Sequence, residues 1–291
     1  MVNPKLDKKE AIRSLVHTAV ESYAEGFQAR HEGEIDNPEG TLNMKIHNIF
    51  IAALGPEIQY YTALVRSLDS SLGNMLEKLA MNIAGFSYDV RKKVEGPLSV
   101  AQTRGIAELL EKYKRREISP PTDEDYQFLR VKPKDNTLKT KRHDSDYYLI
   151  DKETGNNFLI ELKIGGDLDN KKARSEKEAI LEQFTILSNI SPKDKIIKIY
   201  FATAYNRYGE DKPWRQERVR QFFADDELMI GKDFWDFVCK SDNGYDIVLK
   251  AYKESFTKYF GDINSYKITW NDALRPLNNN YRVSNMEMMF Q

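Results

Sequence analysis

The 291-residue sequence predicts a mixed α/β fold, in which a mixed central sheet is covered by helices and a helical region comes first. Three observations carry this expectation. Apolar residues recur at three- and four-residue spacing through most of residues 1–117. Beyond residue 145 the period drops to two in short runs, and helical spacing returns between and after them. Helices first, then hairpin, helix, strand and helix is the order of a sheet packed under helices.

Helical spacing is expected over Lys8–Ala29, Asn43–Ala53 and Gln59–Ala84, with Gly55-Pro56 separating the last two. A further helix, Gln102–Arg116, places Ile106, Leu109, Leu110 and Tyr113 on one side, and Ser119-Pro120-Pro121-Thr122 stops the pattern. Asp123–Asp144 is polar, basic and loop-like. Tyr147–Asp151 and Phe158–Lys163 alternate as two short strands around a turn at Lys152-Glu153-Thr154-Gly155. Gly165 to Asn170 offers a flexible turn and an N-cap for the amphipathic helix Asn170–Asn189, whose Ile180, Phe184 and Leu187 face inward. Lys195–Ala204 is apolar enough for a strand at the centre of a sheet. Helices follow at Pro213–Ala224, Asp233–Cys239 and Tyr245–Phe260. The expected division is a helical region, 1–117, that supplies a dimer surface; a basic linker, 118–144; and a core with C-terminal helices, 145–291, all in one integrated domain.

Composition narrows the function. With 41% hydrophobic and 31% charged residues the chain can bury a sizeable core. No stretch approaches the apolar length of a membrane span, and the polar N-terminus lacks the pattern of a secretion signal. Cys239 is the only cysteine, which excludes an internal disulfide and a cysteine-rich zinc site, so a reducing compartment, the cytoplasm, is expected. His17, His31, His47 and His143 are scattered without metal-ligand spacing, and neither a phosphate-cradling loop nor a serine elbow is present. The net charge of −1 hides local basic groups: Arg130 to Arg142; Lys171, Lys172, Arg174 and Lys177; and Lys212, Arg215, Arg218 and Arg220. Such stripes suit a polyanion on one face, or are solvated surface charge.

The chemistry-bearing segment is Asp146-Tyr-Tyr-Leu-Ile-Asp followed by Phe158-Leu-Ile-Glu161-Leu-Lys163. Phosphodiester hydrolysis near neutral pH calls for a divalent cation held by carboxylates, and a nearby lysine can orient or deprotonate water or neutralise the transition state. A hairpin folded between Glu153 and Thr154 sets Asp146 opposite Glu161, Tyr147 opposite Ile160 and Leu149 opposite Phe158. Asp146, Glu161 and Lys163 then share one face; a bulged turn would shift this register by one. Upstream, Ser71-Leu-Gly-Asn-Met-Leu-Glu77 opens a line of small residues, Gly73, Ala80 and Ala84, around Glu77. That glutamate either completes a metal shell or lies on the surface beside Lys78.

This arrangement resembles the PD-(D/E)XK nuclease superfamily. The resemblance implies Asp146 and Glu161 as metal ligands, Lys163 assisting the water, Glu77 as a third acidic ligand, and Mg2+ as cofactor. Ser145 stands where the family usually has proline, which leaves Asp144 as a rival to Asp146. Longer stretches are similar to type II restriction endonucleases that read GGNCC. They are the run from Glu161 to Lys177, Leu181-Glu-Gln-Phe, Tyr200 to Arg207, Ser71 to Glu77, and Ile230-Gly-Lys-Asp-Phe-Trp235. What this implies is a homodimer that cuts both strands of a short palindrome in double-stranded DNA, beside a cognate DNA methyltransferase.

Base reading is expected from the loop Tyr205-Asn206-Arg207 and the following Arg215, because arginine offers two donors to a guanine edge. Gln216 is a further candidate. Arg218, on the same basic helix as Arg215, is a further DNA-binding candidate, and Lys171, Lys172 and Arg174 suit phosphates, although each arginine here could equally sit in a surface ion pair. Glu176 and Gln183, on one face of their helix with Lys172, either support the active site or are ordinary solvated residues. Two other classes stay open: a PD-(D/E)XK nuclease of repair or recombination, which would not cut plasmid DNA into discrete bands, and a DNA-binding module, which would bind without magnesium-dependent cleavage.

Overall fold

Two antiparallel strand pairs followed by two parallel ones make the sheet of the first unit. The computed structural model describes residues 4–35, 37, 39–40, 48–53, 55–131, 138–166 and 168–260. The chain divides into two compact units, residues 1–12 with 76–248, and residues 13–75 with 249–291. Helix α1 (Pro4–Ile35), α2 (Ile49–Ala52) and α3 (Pro56–Ala84) come first. Strand β1 (Tyr88–Ser99) and α4 (Val100–Lys114) follow, then a 3-10 segment, Asp123–Arg130. Next are β2 (Leu138–Asp151), β3 (Asn157–Leu162), α5 (Asn170–Ile190), β4 (Ile197–Thr203) and α6 (Glu217–Arg220). A short 3-10 turn, Asp225–Glu227, leads into β5 (Leu228–Ile230), α7 (Lys232–Cys239) and α8 (Gly244–Phe260).

The first unit holds the sheet, ordered β1-β2-β3-β4-β5. β1 and β3 flank β2 antiparallel, and β4 and β5 continue parallel to β3. The hairpin register is the expected one, Tyr147 opposite Ile160 and Leu149 opposite Phe158. Both faces are covered. Leu159, Ile199 and Phe201 join Phe184, Leu187, Ile106 and Leu110 of α5 and α4 in one buried cluster. Beside α7, Phe158 lies edge-on to Phe237, with ring centroids 5.1 Å apart. Truncating a side chain such as Phe184 to alanine would cost about 3–5 kcal/mol by transfer and cavity terms together. In the second unit, Val16 and Val20 of α1 are fully buried, and Tyr23 Oη donates to the Leu68 carbonyl at 3.2 Å.

Four expectations are corrected. Tyr88–Ser99, inside the region read as helical, is a strand, and Ser99 accepts from Gln102 N to cap α4. Its sequence hides this because β1 is an edge strand, with Pro97 and exposed charges along it and few apolar positions. Second, residues 138–144 are not linker: they extend β2 into a polar ribbon paired with β1 from Ser99 opposite Leu138 to Lys93 opposite Asp144. The chain ends its helical region and begins its sheet before residue 117, so the expected division at 117 and 144 does not follow the fold. Third, Pro213–Ala224 forms only the short α6, since Val219, Phe222, Phe223 and Ala224 are pulled into the core by turns rather than by one helix face. Fourth, Lys177, grouped above with the surface basic residues, is completely buried. Residues 43–47 (with His47), Lys132, Lys134 and Asp167 lie outside the described residues.

Candidate active site

The hairpin delivers its charged residues to the end of the sheet where β3 finishes. Pairing of β2 with β3 runs as far as Tyr147 and Ile160, and β2 carries two more residues than β1 between Tyr148 and Asp144. This bulge opposite Lys92 falls on Asp146, and bulges of this kind re-aim side chains beside active sites. Asp146 Oδ2 accepts from Leu162 N at 3.2 Å, which fixes the carboxylate against β3. Asp144, two residues earlier, is exposed and pairs through its backbone with Lys93, so the geometry favours Asp146 as the partner of Glu161.

Lys163 is pinned through its backbone. Its N–H donates to the Ala202 carbonyl at 2.9 Å, and Ala204 N donates to the Ile164 carbonyl at 3.2 Å. The parallel β3–β4 ladder therefore continues past the end of the strand. The Lys163 ammonium pairs with Glu161 Oε1 and lies 3.2 Å from Glu176 Oε1 on α5. Asp169 caps that helix by accepting from Lys172 N at 2.8 Å, as the sequence suggests. Tyr147 Oη donates to the Glu77 carbonyl at 2.7 Å and so holds the Glu77 turn of α3 beside the hairpin. Ala80 and Ala84 on the same line are fully buried.

The electrostatics mark this cluster as short of positive charge. Burial, and then the negative charge of Asp146, push the Glu161 carboxyl up to about 8, with Lys163 opposing. Glu77 is also raised, by burial and then by Asp146. Burial alone would lower Lys163, but Glu161, Glu176 and Asp146 together hold its ammonium well above the ordinary lysine range. Among the described residues, no three His, Cys, Asp or Glu side chains are grouped as they stand to hold a metal ion. The lysine sits on the glutamate instead. Gln183 is buried, and its Oε1 has no hydrogen-bond partner among the described residues.

The expected DNA-contacting residues separate into two sets. Tyr205, Arg207, Arg215, Arg218, Lys171 and Lys172 are exposed. Arg174 pairs with Glu111 at 2.9 Å, and Arg220 with Asp225 at 2.8 Å, which fits the ion-pair alternative for both. Asn206 is buried, and its amide is engaged inside its own loop: Oδ1 accepts from Tyr208 N at 3.0 Å, and Nδ2 donates to the Lys212 carbonyl at 2.7 Å. It holds the loop rather than offering its edge outward. Lys141 and His143 are taken up by Glu182, at 2.7 and 2.8 Å.

The loop after β4 touches the turn after β3. A Cβ on Gly165 would come within 2.9 Å of Tyr205 Oη. Gly166 has φ +66, and a Cβ there would meet Thr203 Cγ2 at 2.7 Å and Trp214 Cζ2 at 3.1 Å. Both positive φ and close approach therefore require glycine at 166. Trp214 was not singled out in the sequence; an aromatic residue ahead of a basic segment gives no signal of this contact.

Among the described residues no helix is long and apolar enough to cross a membrane. A family model described as "Type II restriction endonuclease, HinfI" matches residues 8–255, most of the chain and all of the sheet. No curated protein and no solved structure matches. The five-stranded mixed sheet flanked by helices is consistent with the restriction-endonuclease fold. The chain belongs to the HinfI family of type II restriction endonucleases, enzymes that hydrolyse DNA at specific sequences.

Proposed function

We propose that the enzyme makes Mg2+-dependent double-strand breaks at a short palindrome, using Asp146, Glu161 and Lys163 as its catalytic residues and Glu77 as a supporting acid. The observation that carries this reading is the shared end of the hairpin, where the negative charge of Asp146 bears on the buried Glu161 carboxyl and Lys163 pairs with that carboxyl. Type II restriction endonucleases generally use a divalent metal. The residues present fit one. Mg2+ prefers hard oxygen donors and keeps several waters, so two carboxylates suffice to hold it. Asp146 and Glu161 are the pair that would bind, with Glu77 able to add a third oxygen. When bound, the ion supplies Lewis-acid stabilisation of the charge that builds on the phosphate and an acidified water.

The protein's own groups do the rest. The Leu162 N–H steadies Asp146. Glu176, opposite Glu161 across Lys163, keeps the ammonium at the strand end. The Lys163 ammonium, set between Glu161 and Glu176 at the strand end, is placed to orient or deprotonate the attacking water and to offset phosphorane charge. Arg207 and Arg215 read base edges; Tyr205 flanks them over the catalytic turn; Arg218, Lys171 and Lys172 contact phosphates, with Arg174 available only when it leaves Glu111.

A palindromic target calls for two active sites related by a twofold axis, hence a homodimer. A cognate methyltransferase would protect the host sequence without forming a stable complex. The sequence resemblance points to GGNCC, whereas HinfI itself recognises GANTC. Both are five-base palindromes with a free central position, so a loop built to meet the outer guanine serves either. Digestion of phage DNA with magnesium, followed by sequencing of the fragment ends, tests the reading. Discrete ends at one palindrome support it; random ends or nicks on one strand count against it.

A further inference from the structure

Between Asn206 and Lys212 the chain leaves β4, turns through Arg207 and Tyr208, and comes back. Asn206 closes this loop from inside with its two amide bonds. A second residue fastens it to the body of the unit. Glu210 Oε1 accepts from Asn206 N at 2.9 Å, and Glu210 Oε2 accepts from Lys232 N, at the first turn of α7, at 3.0 Å. The Tyr245 phenol is close enough to feel the same carboxylate: burial, then the Glu210 charge, raise its pKa. Space for the carboxylate is kept by Gly231, whose φ is +54 and on which a Cβ would fall 2.2 Å from Glu210 Oε2. Gly231 N itself donates to the Thr203 carbonyl at 3.0 Å, so the loop, the end of β4 and the start of α7 meet at one point.

An acid in a loop that approaches a polyanion is electrostatically unfavourable unless it does something else. We infer that Glu210 is a specificity-positioning residue: it locks the Asn206–Lys212 loop so that Arg207 is already placed when DNA arrives. The inference rests on the proposal that this loop reads bases. Its physical content is preorganisation. A loop tied at Asn206 and Glu210 has little backbone freedom left to lose on binding, so the arginine contact contributes more of its strength to discrimination.

Competition binding in calcium tests it, using a short duplex that carries the cleaved palindrome and one of equal length without it. Glu210→Ala should lower the ratio of specific to random affinity about 10-fold, the scale of a lost guanine contact. The loss should fall on the specific duplex, while random DNA binds equally well or more tightly because a negative charge is gone. Glu210→Gln, which keeps one carbonyl acceptor, should recover part of the ratio. In an Arg207→Ala background, Glu210→Ala should change the ratio no further, whereas a purely structural role would lower the melting temperature and leave the ratio of the folded fraction alone. An unchanged ratio in Glu210→Ala, with a clear loss in Arg207→Ala, overturns the inference and leaves the reading loop standing. An unchanged ratio in Arg207→Ala overturns the loop reading and this inference with it.

Discussion

Two neighbouring residues on α5, Glu176 and Lys177, belong to two lysine–carboxylate clusters that look alike in sequence and behave differently. Lys177 is completely buried, with its ammonium 2.6 and 2.8 Å from the two oxygens of Glu227. Glu227 also accepts from Tyr126 Oη and from Ala224 N, each at 2.7 Å. The Lys177 ammonium faces the rings of Tyr126 and Phe223 at 4.9 and 4.8 Å. One positive and one negative charge balance there, and the polar atoms named are all paired. Burial still pulls the Lys177 pKa down against the attraction of Glu227. The Lys163 cluster gathers Glu161, Glu176 and Asp146 around a single ammonium that keeps 32% of its side-chain surface. The difference teaches what separates a site from a rivet: charge left unbalanced, and access from outside, rather than residue type.

The largest contrast is expected from cutting each cluster once. Glu161→Ala or Lys163→Ala should cut cleavage by at least about 10³-fold while leaving the fold intact, because each removes a group acting on the transition state. Lys177→Met should instead cost about 3–5 kcal/mol of stability, since Glu227 is left charged and buried. Cleavage rate and denaturation midpoint, measured on the same preparations, tell the two apart. A Lys177→Met enzyme as stable as the parent would remove the rivet from the comparison.

The charge imbalance has its own pH signature. The Glu161 carboxyl is raised from 4.5 to about 8, so across that window the folded protein holds a proton that the unfolded chain releases. Stability of the metal-free enzyme should therefore fall as pH rises from about 4.5 to about 8. In Glu161→Gln this part of the fall should vanish, and magnesium should restore more stability to the parent at pH 8 than at pH 5. Identical pH profiles for parent and variant would contradict the imbalance.

The sequence showed some of this plainly. The alternation of Tyr147 to Asp151 against Phe158 to Lys163 specified both the hairpin and its register, because that pairing sets apolar side chains opposite one another, although both faces of the pair turn out to be covered. Asp146 and Glu161 followed from that register. The bulge that aims Asp146 was not visible, since it depends on β1, whose exposed edge position carries little apolar pattern. Lys177 was misread because a helix interior that buries a lysine is signalled only by Glu227, fifty residues away. Glu210 and Trp214 went unnoticed for the same reason: their partners, Gly231 and Gly166, are brought to them by the sheet.

Smaller effects should come from the periphery of the Lys163 cluster. Glu77→Ala should impair cutting less than Glu161→Ala, and more at low magnesium than at high; equal activity at every magnesium concentration would remove Glu77 from the proposed metal site. Lys172→Ala should weaken specific and random DNA alike and reduce the slope of log K against log salt by roughly one. A loss confined to the specific duplex would turn Lys172 into a base reader.

The most direct test of the account sets the parent enzyme beside Glu161→Ala on plasmid DNA in magnesium, with melting and calcium-supported binding measured on both. The account predicts discrete double-strand fragments from the parent, and none from a variant that is at least as stable and binds DNA at least as well. Cutting by Glu161→Ala at the parental rate would contradict it and move the chemistry away from the hairpin.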